Sequence, residues 1–202
     1  MKGLIIVGAG GHGSVVADAA AKSGYKKIAF LDDGDKSFCL GYPVVGKTAE
    51  AVKYAGYDFF VAIGNSKTRE KVTQDLQEKG LRIVNVIHPS AIVAQGVTMG
   101  KGILLAAGAI VNPNATLGDG VIVNTSASID HDNKIEKYCH VSVGVRLAGN
   151  VAVGAYTWIG IGAVISNGIS VCGDCMIGAG ATVVKDITER GTYVGTPAKK
   201  KN

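Results

Sequence analysis

The chain has 202 residues, including 29 glycines, and a formal net charge of +5 at pH 7. The length allows one or two domains with a sizeable core, and a charged fraction of 18% excludes an intrinsically disordered chain. The positive charge suits acidic small molecules. Nucleic acid is disfavoured as a partner because the basic residues are scattered, apart from a Lys199–Lys201 tail that we interpret as a solvated, frayed end.

Membrane and secretory classes are also disfavoured. No apolar run reaches the length of a membrane span, and residues 1–7 run straight into a glycine turn rather than a cleavage site. The four cysteines indicate reduced thiols and a cytoplasmic location. Cys172 and Cys175 form a C-x-x-C, but the repeat described below gives them different places, so we expect them to point different ways and to pack structurally.

The N-terminal part begins with the pattern of a nucleotide-binding βαβ unit. An apolar strand at residues 4–7 runs into the turn G-A-G-G-H-G, and a helix at 14–23 and a strand at 27–31 follow. This second strand ends on Asp32 and Asp33. Glycines in such a turn let the backbone approach a ligand, and an acid at the second strand end accepts hydrogen bonds from ribose hydroxyls. The motif predicts a nucleotide site, with a purely structural turn as the alternative.

The remaining N-terminal elements complete a small parallel sheet with helices. We expect a connecting loop at 38–49, a strand at 57–63, a helix capped by Ser66 that runs to about residue 80, and a strand at 82–86. The domain at residues 1–86 provides one mononucleotide-binding half and no second half for a nicotinamide. A nicotinamide-dependent oxidoreductase is therefore a disfavoured alternative, which the absorbance of bound NAD(H) would test.

From residue 87 to about 188 the sequence repeats every six residues without a break, as in V-N-P-N-A-T, L-G-D-G-V-I and V-N-T-S-A-S. The first place of every hexad is Ile, Val, Leu or Met. The fifth place is nearly always small or apolar, with Asn133 and Thr157 as polar exceptions. A fixed short period of this kind is typical of a solenoid. A β-sandwich would instead require longer strand spacing and hairpin turns.

Each hexad is interpreted as one short strand and a turn. Three hexads make a triangular coil of about 18 residues, and successive coils stack roughly 4.8 Å apart. The first-place aliphatic residues point inward, and the fifth-place residues fill the corners. Residues 87–202 are therefore predicted to form a parallel β-helix whose last residues leave the repeat.

Acid–base side chains are concentrated in the hexads between residues 123 and 140. His131 takes an outward third place near a corner, where a neighbouring carboxylate, Asp130 or Asp132, would orient its imidazole and favour a general base. One coil later lies Gly149, whose amide should sit about one strand spacing away and stabilise an oxyanion. A base and an oxyanion donor on one wall suit acyl transfer, with a merely solvated histidine as the alternative.

Zinc is disfavoured as a cofactor. Some hexapeptide solenoids bind zinc through three histidines, but only His131 and His140 lie well inside this repeat. His140 has two possible interpretations: a functional residue, or a residue that packs at a contact between subunits.

Seven segments together carry a family resemblance: G-A-G-G-H-G, F-L-D-D, F-F-V-A-I-G-N, I-D-H-D, C-H-V-S-V-G, L-A-G-N-V and the closing Y-V-G-T-P-A-K. They resemble the bacterial sugar N- and O-acyltransferases of the hexapeptide-repeat class, above all the UDP-4-amino-sugar N-acetyltransferases. The resemblance spans nearly the whole chain. It implies a left-handed parallel β-helix, a homotrimer with active sites at subunit interfaces, and acetyl-CoA as the acetyl donor with no metal.

The same resemblance implies roles for individual residues. The nucleotide sugar would be held by Gly10, Gly11, His12, Asp32, Asp33 and Gly64. The catalytic group would comprise the base His131, the carboxylate Asp132, the supporting Asn124 and the oxyanion-binding amide of Gly149. The acetyl-CoA groove between subunits would be lined by His140, Ile161 and Ala179. Relatives carry Glu at the position of Asp132, so this chain keeps the charge on a shorter side chain.

The predicted activity is N-acetylation of the C4 amine of a nucleotide-linked, UDP-linked in the first instance, 4-amino-4,6-dideoxy sugar. The amine would attack acetyl-CoA directly, with His131 as the base and no covalent enzyme intermediate. One alternative is O-acetylation of sialic acid or another sugar hydroxyl on the same scaffold, which acceptor screening would separate. The other is a non-catalytic nucleotide-sugar sensor, which would show no acetyl-CoA turnover.

Overall fold

The computed structural model describes residues 3–201, and they form two compact units, one up to residue 89 and one from residue 90. The boundary of 86/87 predicted from sequence lies three residues earlier. Among the described residues, neither helix has the length and the apolar composition needed to span a bilayer.

The first unit is built on a four-stranded parallel sheet. Its strands are β1 (Leu4–Val7), β2 (Ile28–Leu31), β5 (Asp58–Val61) and β6 (Arg82–Ile83), in the spatial order β2-β1-β5-β6. Residues of β1 and β5 are buried throughout, as expected for parallel strands covered on both faces. The predicted Rossmann-like α/β fold of this unit is confirmed.

Two helices, α1 (Gly11–Lys22) and α2 (Ser66–Glu78), belong to this sheet. α1 begins three residues earlier than predicted, directly at the glycine turn. The sequence prediction that Ser66 caps α2 is wrong. Asn65 is the N-cap, and its side-chain oxygen accepts a hydrogen bond from the Thr68 N–H at 2.9 Å.

The stretch predicted as a plain loop is partly ordered. It contains an antiparallel hairpin of β3 (Phe38–Cys39) and β4 (Tyr42–Pro43), and at its end a 3-10 helix begins, which runs from Thr48 to Tyr54 beyond the predicted loop. Leu40 and Gly41 at the hairpin tip have positive φ angles of 48° and 77°, which a two-residue turn of this kind requires. A short strand β7 (Val86–Ile87) follows β6.

The second unit is a stack of coils whose strands form three parallel faces. The first face consists of β8 (Ile92–Val93), β11 (Ile110–Val111), β14 (Ser128–Ile129), β17 (Arg146–Leu147), β20 (Val164–Ile165) and β23 (Thr182–Val183). The second consists of β9 (Thr98–Met99), β12 (Thr116–Leu117), β15 (Lys134–Ile135), β18 (Ala152–Val153) and β21 (Ser170–Val171). The third includes β10 (Leu104–Leu105), β13 (Ile122–Val123), β16 (His140–Val141), β19 (Trp158–Ile159) and β22 (Met176–Ile177). The predicted left-handed parallel β-helix is confirmed.

The register of the coils follows the hexads. Paired residues on neighbouring strands differ by 18 in number, as in Val111 opposite Ile129 and Ile129 opposite Leu147. First-place residues from Leu105 onward are buried, whereas Val93 in the first coil is 39% exposed. Burial of the stacked aliphatic residues is therefore the main source of stability along the coils.

The fourth place of each hexad carries a backbone feature that the sequence analysis overlooked. From Gly96 to Gly180 this place has a positive φ, with Gly, Asn, Asp, Ser or Tyr as the residue. Glycine meets this requirement without cost, and Asn and Asp tolerate it better than other side chains. Asp132 therefore has a left-handed backbone, with φ 59°.

The last residues continue the stack instead of fraying. β24 (Thr192–Val194) pairs in parallel with β22, and β25 (Lys199–Lys200) pairs antiparallel with β24. The Lys200 ammonium contacts Glu189 at 2.8 Å, and the Lys201 N–H donates to the Thr192 carbonyl. The interpretation of the lysine tail as a frayed end is wrong, because its backbone closes the third face.

The C-x-x-C pair corrects a further prediction. Cys172 and Cys175 do not point different ways, since their Sγ atoms lie 3.5 Å apart. The turn between them brings the second-place and fifth-place side chains together. Both are free thiols, and burial raises the pKa of Cys175 to about 11.

Candidate active site

One corner of the solenoid, between β14 and β15, holds the acid–base residues. His131 Nδ1 and Asp132 Oδ2 share a hydrogen bond of 2.8 Å, and the two side chains are 57% and 51% exposed. This bond raises the pKa of His131 above its ordinary value of 6.5 and lowers the pKa of Asp132. Because Nδ1 is engaged, the exposed imidazole offers Nε2 as its proton-accepting atom.

Both neighbouring carboxylates are held by asparagines of the preceding coil. Asn112 donates to Asp130 at 2.8 Å, and Asn114 donates to Asp132 at 3.1 Å. Asp130 also accepts the His131 backbone N–H at 2.8 Å. The hydrogen bond from Asn112 is the largest cause of the lowered pKa of Asp130. Together they fix the corner from which the imidazole projects.

Gly149 lies against the imidazole, one coil further along. A β-carbon on Gly149 would come within 2.5 Å of His131 Cε1, so only glycine fits beneath the ring in this position. The Gly149 carbonyl accepts a hydrogen bond from the Gly168 N–H, and the His131 carbonyl accepts one from the Asn150 N–H at 2.9 Å. The structure therefore brings together His131, Asp132 and Gly149.

The other predicted solenoid residues lie on the third face, within β16 or in the turns that follow β13, β19 and β22. Asn124 Nδ2 is 3.1 Å from His140 Nε2, and the His140 ring lies 4.2 Å from the Trp158 ring, measured between centroids. Ile161 and Ala179 are exposed third-place residues in two of these turns. Within one chain, Asn124 contacts His140 and has no hydrogen bond to His131.

A cleft of about 420 Å³ opens on the first face beside the His131 corner. It extends across four successive coils, and its polar lining comprises Asn112, Ser128, Asp130, Arg146, Ser166 and Asn167. Ala148, the residue before Gly149, also borders it. The cleft therefore places polar side chains along the first face up to Asp130, the residue before His131.

In the first unit, the glycines of the turn after β1 divide into two kinds. Added β-carbons on Gly8 and Gly13 would collide with the backbone at Ala62 and Gly8, respectively, and Gly8 has φ +106°. Gly10 and Gly11 have no neighbouring atom within 4 Å of such a position. The first pair is thus required by packing, whereas the second pair faces open space.

The acidic pair after β2 fixes the surrounding loops. Asp32 accepts the Ala9 N–H at 2.6 Å and the Gly34 N–H at 2.9 Å, and the first of these bonds is the main cause of its lowered pKa. Asp33 accepts the Thr48 N–H at 2.9 Å. Asp32 therefore joins the glycine turn to the end of β2, where the sequence predicts a nucleotide.

His12 and Gly64 are linked to a buried arginine that the sequence analysis missed. Arg69 is 1% exposed, and its guanidinium donates to the carbonyls of Ile63 and Gly64, each at 2.8 Å. Burial, and then the nearby positive charge of Arg69, lower the pKa of His12 to about 4, which keeps the imidazole neutral at pH 7. Arg69 lies on the polar helix α2, whose sequence gave no sign that this side chain is buried.

The described residues, 3–201, contain no group of three or more His, Cys, Asp and Glu side chains arranged to hold a metal ion.

Sequence and structure comparisons place this architecture among known proteins. A family profile described as the PglD N-terminal domain matches residues 3–76. UDP-N-acetylbacillosamine N-acetyltransferase of Bacillus subtilis is 35% identical over 113 residues, which cover 53% of this chain and 52% of that protein. The match thus spans about half the length of this curated relative.

Solved structures extend the match to the whole chain. The acetyltransferase domain of PglB from Neisseria gonorrhoeae is 38% identical, with full coverage of both chains and a TM-score of 0.96. The chain belongs to the hexapeptide-repeat sugar N-acetyltransferase family. The same PglB domain has also been solved in complex with acetyl coenzyme A. Another member of this acetyltransferase family, perosamine N-acetyltransferase from Caulobacter crescentus, was solved with CoA and GDP-perosamine. It is 35% identical, covers 100% of this chain and 98% of its own, and has a TM-score of 0.96.

Proposed function

We propose that this protein transfers the acetyl group of acetyl-CoA to the C4 amine of a nucleotide-linked 4-amino-4,6-dideoxy sugar. The observation that carries the proposal is the His131–Asp132 pair, which lies against the Gly149 backbone in a sugar N-acetyltransferase fold. The relatives act on or bind UDP-linked and GDP-linked amino sugars according to their names. UDP is the first nucleotide to test, because the Bacillus relative is named for a UDP-linked sugar.

His131 is the proposed general base. Its Nε2 would accept a proton from the sugar amine while the amine nitrogen bonds to the thioester carbonyl carbon. The carbon–sulfur bond then breaks, and the coenzyme A sulfur leaves with a proton returned from the imidazolium. Asp132 supports this role because its carboxylate raises the pKa of His131, which makes the imidazole a stronger base.

The Gly149 N–H is the proposed oxyanion donor. Within residues 3–201 it has no hydrogen-bond acceptor, and it belongs to the residue that lies against the imidazole. A donor that is already oriented stabilises the negative charge of the tetrahedral intermediate without reorganisation. The proposed group of His131, Asp132 and Gly149 contains no serine or cysteine, which agrees with direct attack by the amine.

The proposed nucleotide site is the glycine turn of the first unit. Gly10 and Gly11 have open space around them, so their lack of side chains is best explained by close approach of a ligand. The N-terminal end of α1 lies at the same turn, and the positive end of a helix dipole favours phosphate. His12, Asp32, Asp33 and Gly64 surround the same strand ends and are proposed to contact the nucleotide sugar.

We further propose a homotrimer in which acetyl-CoA lies between subunits. Ile161 is an apolar side chain that is 55% exposed, and Val143 one coil earlier is 37% exposed, so this corner is suited to be covered by another copy. His140, Ile161 and Ala179 would line the groove from one subunit and His131 from its neighbour. Asn124 would support the site through His140, which it contacts directly.

The direct test is release of free thiol from acetyl-CoA with a panel of UDP-, dTDP- and GDP-linked 4-amino sugars and matched hydroxyl sugars. Turnover with one amino sugar, lost in His131→Ala at unchanged secondary structure and oligomeric state, is the expected result. Turnover with hydroxyl sugars alone would replace the proposal with O-acetylation. Binding of nucleotide without any turnover would overturn it in favour of a sensor.

A further inference from the structure

Asn133 occupies a place in the repeat that apolar residues normally fill. It is a fifth-place residue, 1% exposed, stacked between Ala115 and Val151 of the neighbouring coils, which are equally buried. Burying an amide among aliphatic side chains costs stability unless its polar atoms are paired. Its contacts therefore indicate why this chain has asparagine here.

The side-chain amide of Asn133 joins two coils at the acid–base corner. Nδ2 lies within hydrogen-bond distance of the carbonyl oxygens of Asp130 at 2.8 Å, His131 at 3.2 Å and Ala148 at 2.9 Å, and because it carries two hydrogens, two of these bonds share one hydrogen. The first two belong to the turn that carries the imidazole, and the third belongs to the turn that carries Gly149. One buried amide thus ties the proposed base and the proposed oxyanion donor to the same point.

The bond to Ala148 also sets the direction of the Gly149 N–H. The Ala148 carbonyl and the Gly149 N–H are parts of one planar peptide group, and in a trans peptide they point in opposite directions. The carbonyl points inward to buried Asn133. The N–H must therefore point outward, on the side where the His131 ring lies against Gly149.

Two other fifth-place residues show that the local bond alone does not require an asparagine. Cys139 donates to the Gly154 carbonyl at 3.1 Å, and Thr157 donates to the Cys172 carbonyl at 3.1 Å. Each acceptor lies 15 residues further on, as Ala148 does from Asn133. A smaller donor satisfies that carbonyl, whereas Asn133 reaches two more and leaves its own buried Oδ1 without a partner. An unpaired buried acceptor lowers stability.

From this geometry we infer that Asn133 is a positioning residue for acetyl transfer: its side-chain amide holds the His131 turn and the Ala148–Gly149 peptide in register, so that the base faces the attacking amine while the oxyanion donor faces the thioester carbonyl. This inference rests on the proposed function. It concerns orientation, so it predicts a loss in kcat with little change in the KM values for acetyl-CoA and the nucleotide sugar.

The test compares Asn133→Ala and Asn133→Cys with the matched control Thr157→Ala, which removes the same kind of bond at another corner. Each protein is assayed for kcat, KM and thermal midpoint, and the His131 pKa is measured by NMR titration. We expect kcat to fall about tenfold or more in Asn133→Ala, and less in Asn133→Cys, whose thiol keeps one donor. Asp130 and Asp132 are the charged groups facing His131, and a loosened turn should move its pKa toward the ordinary value.

The outcomes are distinguishable. Unchanged kcat and His131 pKa in both Asn133 variants, with a lowered thermal midpoint as in Thr157→Ala, would assign Asn133 a structural role and overturn the inference. If the unsubstituted protein acetylates no acceptor, the proposed function fails. A His131 pKa that moves in the Asn133 variants but not in Thr157→Ala would still support the positioning geometry, and Asn133→Cys provides the result if Asn133→Ala does not fold.

Discussion

The imidazole of His131 rests on the backbone of Gly149, eighteen residues later, with no space for a β-carbon between them. The two residues come from the same third place of hexads in successive coils, so the stacking of the solenoid itself makes the contact. The proposed pairing of base and oxyanion donor depends on this stacking.

Gly149→Ala should therefore displace the imidazole while the fold persists. We expect kcat to fall by about 10²-fold, because small displacements of a catalytic group have large effects, with little change in nucleotide affinity. Steady-state kinetics and circular dichroism measure both quantities. The matched control is Gly173→Ala, at the same hexad place, where a new β-carbon would lie 3.0 Å from the nearest atom, the Ala155 carbonyl oxygen. Equal losses in the two variants would contradict the assignment.

The pH dependence of kcat/KM should report His131. Its pKa is raised by Asp132, so the base is protonated, and activity is low, until the pH rises through a value above 6.5. Asp132→Asn removes that stabilisation, so the acidic limb should shift to lower pH while the plateau falls. Asp132→Glu should restore the charge and much of the activity. Asp174→Asn, at the equivalent fourth place with φ 56°, is the control and should leave the profile unchanged.

The turn after β1 should separate ligand binding from stability. Gly11→Ala has space for its methyl group and lies at the first position of α1, so stability should hold or increase by up to about 1 kcal/mol. Nucleotide binding, measured by titration calorimetry with UDP and GDP, should weaken. Gly13→Ala should instead lower the thermal midpoint, because its β-carbon would collide with the Gly8 carbonyl. Full nucleotide affinity in Gly11→Ala would argue against a ligand at this turn.

The Cys172–Cys175 pair should respond to a disulfide reagent in two steps. Half-buried Cys172 should react first, since burial raises the pKa of Cys175 to about 11. Cys175, with its sulfur only 3.5 Å away, should then displace the reagent thiol and leave an internal disulfide. Mass spectrometry after treatment with 5,5'-dithiobis(2-nitrobenzoic acid) distinguishes this product from a mixed disulfide. Cys175→Ala should retain the mixed disulfide, and its rapid loss there would contradict the scheme.

The hexad pattern predicted the coil stack because its signal is repeated and purely apolar. First-place residues such as Val111 and Ile129 point inward because they are aliphatic and recur every six residues, and the pairing of coils follows. The position of His131 opposite Gly149 followed by counting one coil. These inferences required no knowledge of individual contacts.

Features without a period were harder to predict. Arg69 is buried because two strand-end carbonyls accept its guanidinium, and nothing in a polar helix sequence marks such a partner. Asp132 has a left-handed backbone. The same fourth place in other hexads is filled by glycine, asparagine, serine or tyrosine, so no single residue type marks this conformation in the sequence. The contact between Cys172 and Cys175 depends on the path of a tight turn, which the inward or outward assignment of each hexad place does not specify.

The contact of His131 with Gly149 requires the chain between them to be one coil long. Deletion of one residue from that interval would shift every later strand by one position and turn its interior side chains toward solvent. Removal or insertion of a whole coil of about eighteen residues beyond the acid–base corner would leave the contact between His131 and Gly149 unchanged. The interval between these two residues, in contrast, has one permitted length.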